Sequence, residues 1–322
     1  MDTEHETTNA SQRMRALRAH QRGGPEQLVY EEAPRPVPGP GEITVAVRAA
    51  AITFAELTWT ETWEANGVDR TPVIPSHEFA GAVAELGAGV SDFAVGDSVL
   101  GLVPFDRDGA AAEFVVVPVE FVARKEASVS DADAAAAVLP ALTAWEALID
   151  QAQLAAGQRL LVRGGTGGVG AFLTQFGHRM GAEVTATVTS TASEDVARRL
   201  GADHVIVAGR DPEPHQGAFD VAVDAVGDDL PEWVYASVRR GGRLIVLQVP
   251  PNQELAEKYG VITGFFVVGP NRPRLEQLAE LLSEGRVEVA VARTFPLSDG
   301  RAAYESGARP KPRPGKTVIT VP

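Results

Sequence analysis

The chain has 322 residues, 44% hydrophobic and 22% charged, which suits a protein with more than one buried core. Its net charge of -14 argues against a nucleic-acid or anionic-membrane partner, either of which needs a concentrated basic face, and no run is read as reaching the roughly 18 apolar residues of a membrane span. The absence of cysteine excludes disulfides, thiolate nucleophiles, iron–sulfur clusters and every cysteine-containing zinc site.

Residues 1–13 are polar and mixed in charge, without the basic start and apolar centre of a signal peptide. They are expected to form a disordered tail on a cytoplasmic protein, with folding beginning at Met14. From Met14 to about Val122, short alternating runs at residues 43–47, 81–85 and 114–117 are punctuated by Gly and Pro and predict a loop-rich β domain. The proline block at residues 34–41 separates two of its strands as a surface turn.

Residues 131–156 are rich in Ala and Leu at helical spacing, with Ser130 or Asp131 as the cap. The texture then changes. Short apolar strands at residues 160–162, 183–188, 204–207, 221–223 and 244–247 are separated by helical or loop stretches, the pattern of a parallel sheet in a doubly wound α/β fold. Beyond Gly264, the spacing of Leu275, Leu278, Leu281 and Leu282 predicts a helix, and residues 315–321 form a closing strand expected to return to the first domain. The composition changes place domain boundaries near Ser128 and Pro270: a β-rich domain of residues 14–127 completed by 271–322, and an α/β domain of residues 128–270.

The segment from Leu160 to Gly170 is strand, glycine turn and helix in immediate succession. That order brings backbone N–H groups close to a diphosphate, an approach that side chains would obstruct. Gly165, Thr166, Gly167, Gly168, Val169 and Gly170 are the candidate cofactor loop, and the helix after it turns its positive end to the anion. A glycine pattern alone is a weak signal; here the flanking strand, helix and second strand stand where a βαβ unit requires them. At the end of that second strand an NAD-specific site usually carries Asp or Glu, whereas this chain has Thr189, Ser190 and Thr191. Such hydroxyls accept a 2′-phosphate without repelling it, so NADPH is the expected cofactor.

Several motifs then occur in order. They are Pro75-Ser76-His77-Glu78-Phe79-Ala80-Gly81, Gly87-Ala88-Gly89-Val90 followed by Val95-Gly96-Asp97-Ser98-Val99, the run from Leu139 to Leu148, Leu200-Gly201-Ala202-Asp203, and the terminal Gly315-Lys316. With the glycine loop, they resemble the medium-chain dehydrogenase/reductase superfamily, in particular its zinc-independent quinone oxidoreductase branch. The resemblance runs from about Met14 to the end. It implies a GroES-like catalytic domain made from both ends of the chain, a Rossmann domain between them, and a homodimer. It also implies hydride transfer from NADPH to a quinone, enone or related small molecule, and it adds Thr143 and Lys316 to the cofactor-binding set.

In zinc-dependent relatives a ligand stands near His77 and a cysteine stands where Thr53 falls here. Neutral threonine is a poor zinc ligand beside a thiolate, so no metal is expected. Two readings stay open for His77, a structural hydrogen-bonding residue or a proton-transfer group, and for Glu56, a local hydrogen-bond acceptor or a catalytic carboxylate. Trp59 and Trp63 either line the substrate pocket or fill core or dimer contacts. Thr53, Glu56 and His77 are the candidate catalytic residues.

Reducing a conjugated carbonyl also needs a proton source. Enoyl thioester reductases of this superfamily carry a tyrosine in this neighbourhood, where this chain has Trp63 and Glu64. Quinone or diffusible enone reduction is therefore favoured, with a tailoring step on a polyketide or other secondary metabolite as the alternative. An NADPH-binding protein without turnover is the alternative of another class. One further departure concerns phosphate affinity: where relatives commonly carry Lys or Arg two residues after Ser190, Ala192 stands here, so a basic group from elsewhere has to supply the charge.

Overall fold

The fold is that of a computed structural model, which describes residues 13–227, 229–309 and 314–322. The expected tail, apart from Arg13, lies outside the described residues; Arg13 itself opens the first strand. The first half contains β1 (Arg13–Ala19), β2 (Leu28–Pro34), β3 (Glu42–Ile52), α1 (Thr60–Trp63), β4 (Glu64–Ala65), β5 (Val68–Asp69), β6 (Glu78–Leu86), β7 (Ser98–Leu102), β8 (Phe114–Pro118) and β9 (Val122–Arg124). Next come α2 (Asp131–Trp145), β10 (Arg159–Arg163), α3 (Gly168–Arg179), β11 (Glu183–Val188), α4 (Glu194–Arg199), β12 (His204–Val207) and β13 (Phe219–Asp224). The chain continues with α5 (Glu232–Ser237), β14 (Val238–Val246), α6 (Gln253–Tyr259), β15 (Ile262–Phe265), α7 (Arg272–Ser283), β16 (Val291–Pro296), α8 (Gly300–Glu305) and β17 (Lys316–Thr320).

Two compact units result. The first holds the chain up to Ala136 and from Arg293 onward, except for the stretch ending at Lys316, which belongs with Ala137–Ala292 in the second. These divisions differ from the boundaries suggested by composition. Residues 271–292 belong to the second unit because Leu275 and Leu278 of α7 are fully buried and because Gln175 bonds both backbone groups of Glu288, at 3.0 and 2.7 Å. Arg274 adds contacts to Glu146 and Asp150.

In the first unit, a seven-stranded sheet runs in the order β16-β17-β3-β6-β7-β9, with β8 also on β3. Strand β3 can be its centre because Ile43, Val45 and Val47 alternate inward and Ala49, Ala50, Ala51 and Ile52 are small or apolar enough to be buried on both faces. Register shifts between Thr44 and Val45 and between Val47 and Ala49 bend it against β6.

The second unit is a six-stranded sheet in the order β12-β11-β10-β13-β14-β15, with every described pairing parallel. The chain reverses direction of winding between β10 and β13, and the crevice beyond the carboxyl ends of those two strands is where doubly wound sheets bind ligands. The α/β class expected from the alternating strands is the class observed.

Ser130 caps α2, its hydroxyl accepting from Asp133 N at 3.0 Å, and a π-helical segment Glu146–Gln151 extends the helix. The continuous stretch Asp131–Gln151 has 21 residues and is apolar enough by length and composition to cross a bilayer, which corrects the expectation that no run reached that length. Most of it is buried inside the protein, which accounts for its composition as a core helix.

Candidate functional site

In the second unit, β10 ends at Arg163 and the loop that follows is tied down from two sides, by β11 and by α3. Gly164 N donates to Thr187 Oγ1 at 3.0 Å and Gly165 N to Thr187 O at 2.9 Å, which continues the β10–β11 pairing into the turn. From α3, Thr174 Oγ1 donates to Gly165 O and Gly170 O at 3.0 and 2.9 Å. Glycine is required at two places by close approach. A Cβ on Gly170 would stand 1.9 Å from Gly164 O, and one on Gly165 would stand 2.5 Å from the Ala186 Cβ. The result is the tight turn at a helix N-terminus that suits a diphosphate, so the residues present fit a dinucleotide.

Thr166 is buried and Gly167 exposed, with Gly168 opening α3 ahead of half-buried Val169. The stem of Lys316 runs beside Gly168, 3.3 Å from where a Cβ would be. Thr189, Ser190 and Thr191 are all exposed immediately after β11. Thr143 is buried and its hydroxyl donates to Leu139 O at 2.7 Å, so its side chain is used within its own helix. At the reversal point, Arg163 bonds the fully buried Asp224 at 2.9 Å, a pair that no motif announced.

The first unit holds a buried polar cluster around Glu56. The turn Phe54–Thr58 carries Glu56 inward, and the next residues lock it there: Thr62 Oγ1 donates to Glu56 O at 2.5 Å and Trp63 Nε1 to Leu57 O at 3.0 Å. Glu56 is 1% exposed. Its Oε2 accepts from Ser76 N at 2.9 Å and its Oε1 from the Tyr304 hydroxyl at 2.5 Å. Ser76 is left-handed, with φ of 69°, a conformation costing a residue with a Cβ about 1–2 kcal/mol. It is held there by the Glu56 carboxylate and by its own Oγ, which donates to Ala51 O at 2.9 Å.

His77 follows Ser76 and is 3% exposed. Burial, then the nearby Arg70 guanidinium, hold its imidazole down to about 4, only partly offset by the carbonyl groups of Pro104 and Val103. The ring is therefore neutral at physiological pH, and its 3.9 Å approach to Glu56 Oε2 is a near contact and not an ion pair. Its Nδ1 is buried without a well-formed hydrogen bond among the described residues. Burial, with Glu56 and then Glu78 nearby, pushes the Tyr304 hydroxyl well above its ordinary value, so Tyr304 is the donor and Glu56 the acceptor.

Thr53, Glu56 and His77 thus converge on one cluster, with Thr53 Oγ1 donating to Glu78 Oε1 at 3.2 Å. Of the three candidates only Thr53 keeps appreciable exposed surface. Trp63 is a core residue at 2% exposure with its N–H satisfied, which removes it as a pocket wall. Trp59 is half-buried and meets Phe105 edge to face at 5.3 Å, and Phe105 meets His77 in the same manner at 5.1 Å. Tyr304, Arg70 and Phe105 were invisible to motif reading because each reaches the cluster from a different part of the chain.

A catalytic zinc does not fit these residues. Among the described residues no three His, Asp or Glu side chains are placed to hold a metal ion, and the Thr53 hydroxyl is a weak ligand already bonded to Glu78.

Two family profiles match the chain: the alcohol dehydrogenase GroES-like domain over residues 39–127 and zinc-binding dehydrogenase over residues 200–319. The chain is 30% identical to the mitochondrial NAD(P)H oxidoreductase RTN4IP1 of Homo sapiens, over 88% of this chain and 82% of that protein. It is 33% identical to the polyketide synthase GfsB of Streptomyces halstedii, over 88% of this chain but 5% of that far longer protein. Among solved structures it is similar to a mycobacterial quinone oxidoreductase, with 26% identity, a TM-score of 0.78, and coverage of 95% and 99% of the two chains.

Proposed function

The chain belongs to the medium-chain dehydrogenase/reductase superfamily, and from that premise we propose that it is an NADPH-dependent, zinc-independent reductase of a quinone, an enone or a similar conjugated carbonyl. The observation that carries this reading is the carboxyl edge of the parallel sheet. There a close-packed glycine turn opens α3, and β11 is followed by three exposed hydroxyl residues where an NAD site usually has a carboxylate. When bound, NADPH supplies a hydride to an electrophilic carbon. The chain's own contribution is binding and positioning. Lys316 and the loop amides would hold the diphosphate, while Glu56 fixes the Ser76 backbone and Thr53, bonded to Glu78, is the candidate with surface to offer an acceptor. Loss of reduced-nicotinamide absorbance with quinones and enones tests the reading.

The likeness to a polyketide synthase over most of this chain favours a second reading, reduction of an unsaturated acyl intermediate in a secondary-metabolite pathway. Turnover of enoyl thioesters in preference to quinones distinguishes it. We also infer a homodimer. Strand β15 is the edge of its sheet, and Ile262, Phe265 and Val267 nearby are 50%, 43% and 70% exposed. Light scattering that returns the mass of a single chain would contradict this.

A further inference from the structure

We propose that Arg210 is the cationic partner of the cofactor's 2′-phosphate, supplying the charge that Ala192 does not. The proposal rests on the NADPH reading above and assigns a residue to it. Parallel strands β11 and β12 pair Val188 with Val207, and Ala208 N donates to Val188 O at 2.9 Å, which sets the turn after β12 beside Thr189. Arg210 stands on that turn. Its position is fixed because Asp211 Oδ2 accepts from Val207 N at 2.8 Å while both Asp211 oxygens take Arg210 N–H groups, each at 2.8 Å. The remaining edge of the guanidinium points across to the hydroxyl loop. Nη1 reaches Glu194 Oε1 at 2.6 Å, and Glu194 follows directly on Ser193, whose Oγ lies 3.1 Å from Ser190 Oγ.

Arg198 and Arg199 lie at the opposite end of α4, and Arg199 is committed to Glu288 by two bonds. Arg210 is a planar fork with two N–H edges, and Asp211 occupies one of them. A phosphate arriving between Ser190 and Arg210 takes the other edge from Glu194, exchanging one anion for another on a preformed donor. The arrangement has a built-in competitor, so Glu194 and the 2′-phosphate act in opposition. With NADH, Glu194 would keep Arg210 on one oxygen and could accept from a ribose 2′-hydroxyl with the other, which makes the sign of its effect diagnostic.

The test is calorimetric binding of adenosine 2′,5′-bisphosphate and 5′-AMP to the intact wild type, R210Q and E194Q. The wild type is expected to prefer the bisphosphate about tenfold or more, and R210Q to lose most of that preference while holding 5′-AMP within about twofold of wild type. E194Q should tighten the bisphosphate by a few-fold, an arm that stands even if R210Q does not fold. A wild-type preference that survives R210Q intact, or E194Q that leaves bisphosphate binding unchanged or weaker, overturns the role of Arg210 and leaves the NADPH reading standing. A wild type that binds both nucleotides equally overturns both.

Discussion

The Tyr304 hydroxyl donates to Glu56 Oε1 at 2.5 Å across 248 residues of sequence, and the other oxygen of that carboxylate holds Ser76 in a left-handed conformation. A residue near the end of the chain thereby helps set the backbone from which His77 projects. Replacing Tyr304 with Phe keeps the ring and removes the donor. Chemical denaturation should show a loss of about 1.5–3 kcal/mol, the range for a hydrogen bond to a charged group. Unchanged stability would mean that the bond contributes nothing.

His77 makes stability depend on pH in a defined window. Its folded value is about 4 against an ordinary 6.5, so above pH 6.5 the ring is neutral in both folded and unfolded chains and costs nothing. As pH falls below 6.5 the unfolded chain takes up a proton that the folded one refuses until about pH 4, which removes on the order of 3 kcal/mol across that interval. Unfolding curves of wild type and His77→Gln measured between these limits should therefore converge or cross as pH falls. Parallel curves would show that His77 does not titrate as its burial implies.

The glycine loop predicts an asymmetry between two substitutions. Gly170→Ala would press a methyl group 1.9 Å from the Gly164 carbonyl oxygen, a backbone atom that cannot rotate aside. It should cost about 1–3 kcal/mol of stability through overpacking and weaken NADPH binding by at least about tenfold. Gly269→Ala meets nothing within 4 Å and is the control. Thermal unfolding and cofactor titration of the pair check both halves.

Metal removal should leave the enzyme untouched. Elemental analysis is expected to find well under about one zinc per chain, and dialysis against a chelator to leave the rate of NADPH oxidation within error, since the donor set is a threonine, a buried neutral histidine and engaged carboxylates. One tightly bound zinc whose removal abolishes activity would contradict this.

The parallel sheet and its loop were legible because local patterns report them: alternating short strands, and glycines whose spacing follows from backbone contact. Long-range burial was not legible in the same way. Composition placed residues 271–292 in the wrong unit because no local signal reports the bonds from Gln175 to Glu288. Trp63 and Trp59 read alike as aromatic residues near a site, and only packing separates the one sealed in the core from the one edge-on to Phe105. Glu56 and His77 were named as candidates from the residues around them. Their electrostatic state required Tyr304 and Arg70, which the fold alone brings to them.

The central claim, that this is an NADPH-dependent reductase of conjugated carbonyls, is tested most directly by steady-state turnover with NADPH and NADH against one panel of quinones and linear enones. Turnover of at least one acceptor is expected, with kcat/KM about tenfold or more in favour of NADPH. Binding of NADPH without turnover of any acceptor, or a clear preference for NADH, would contradict it.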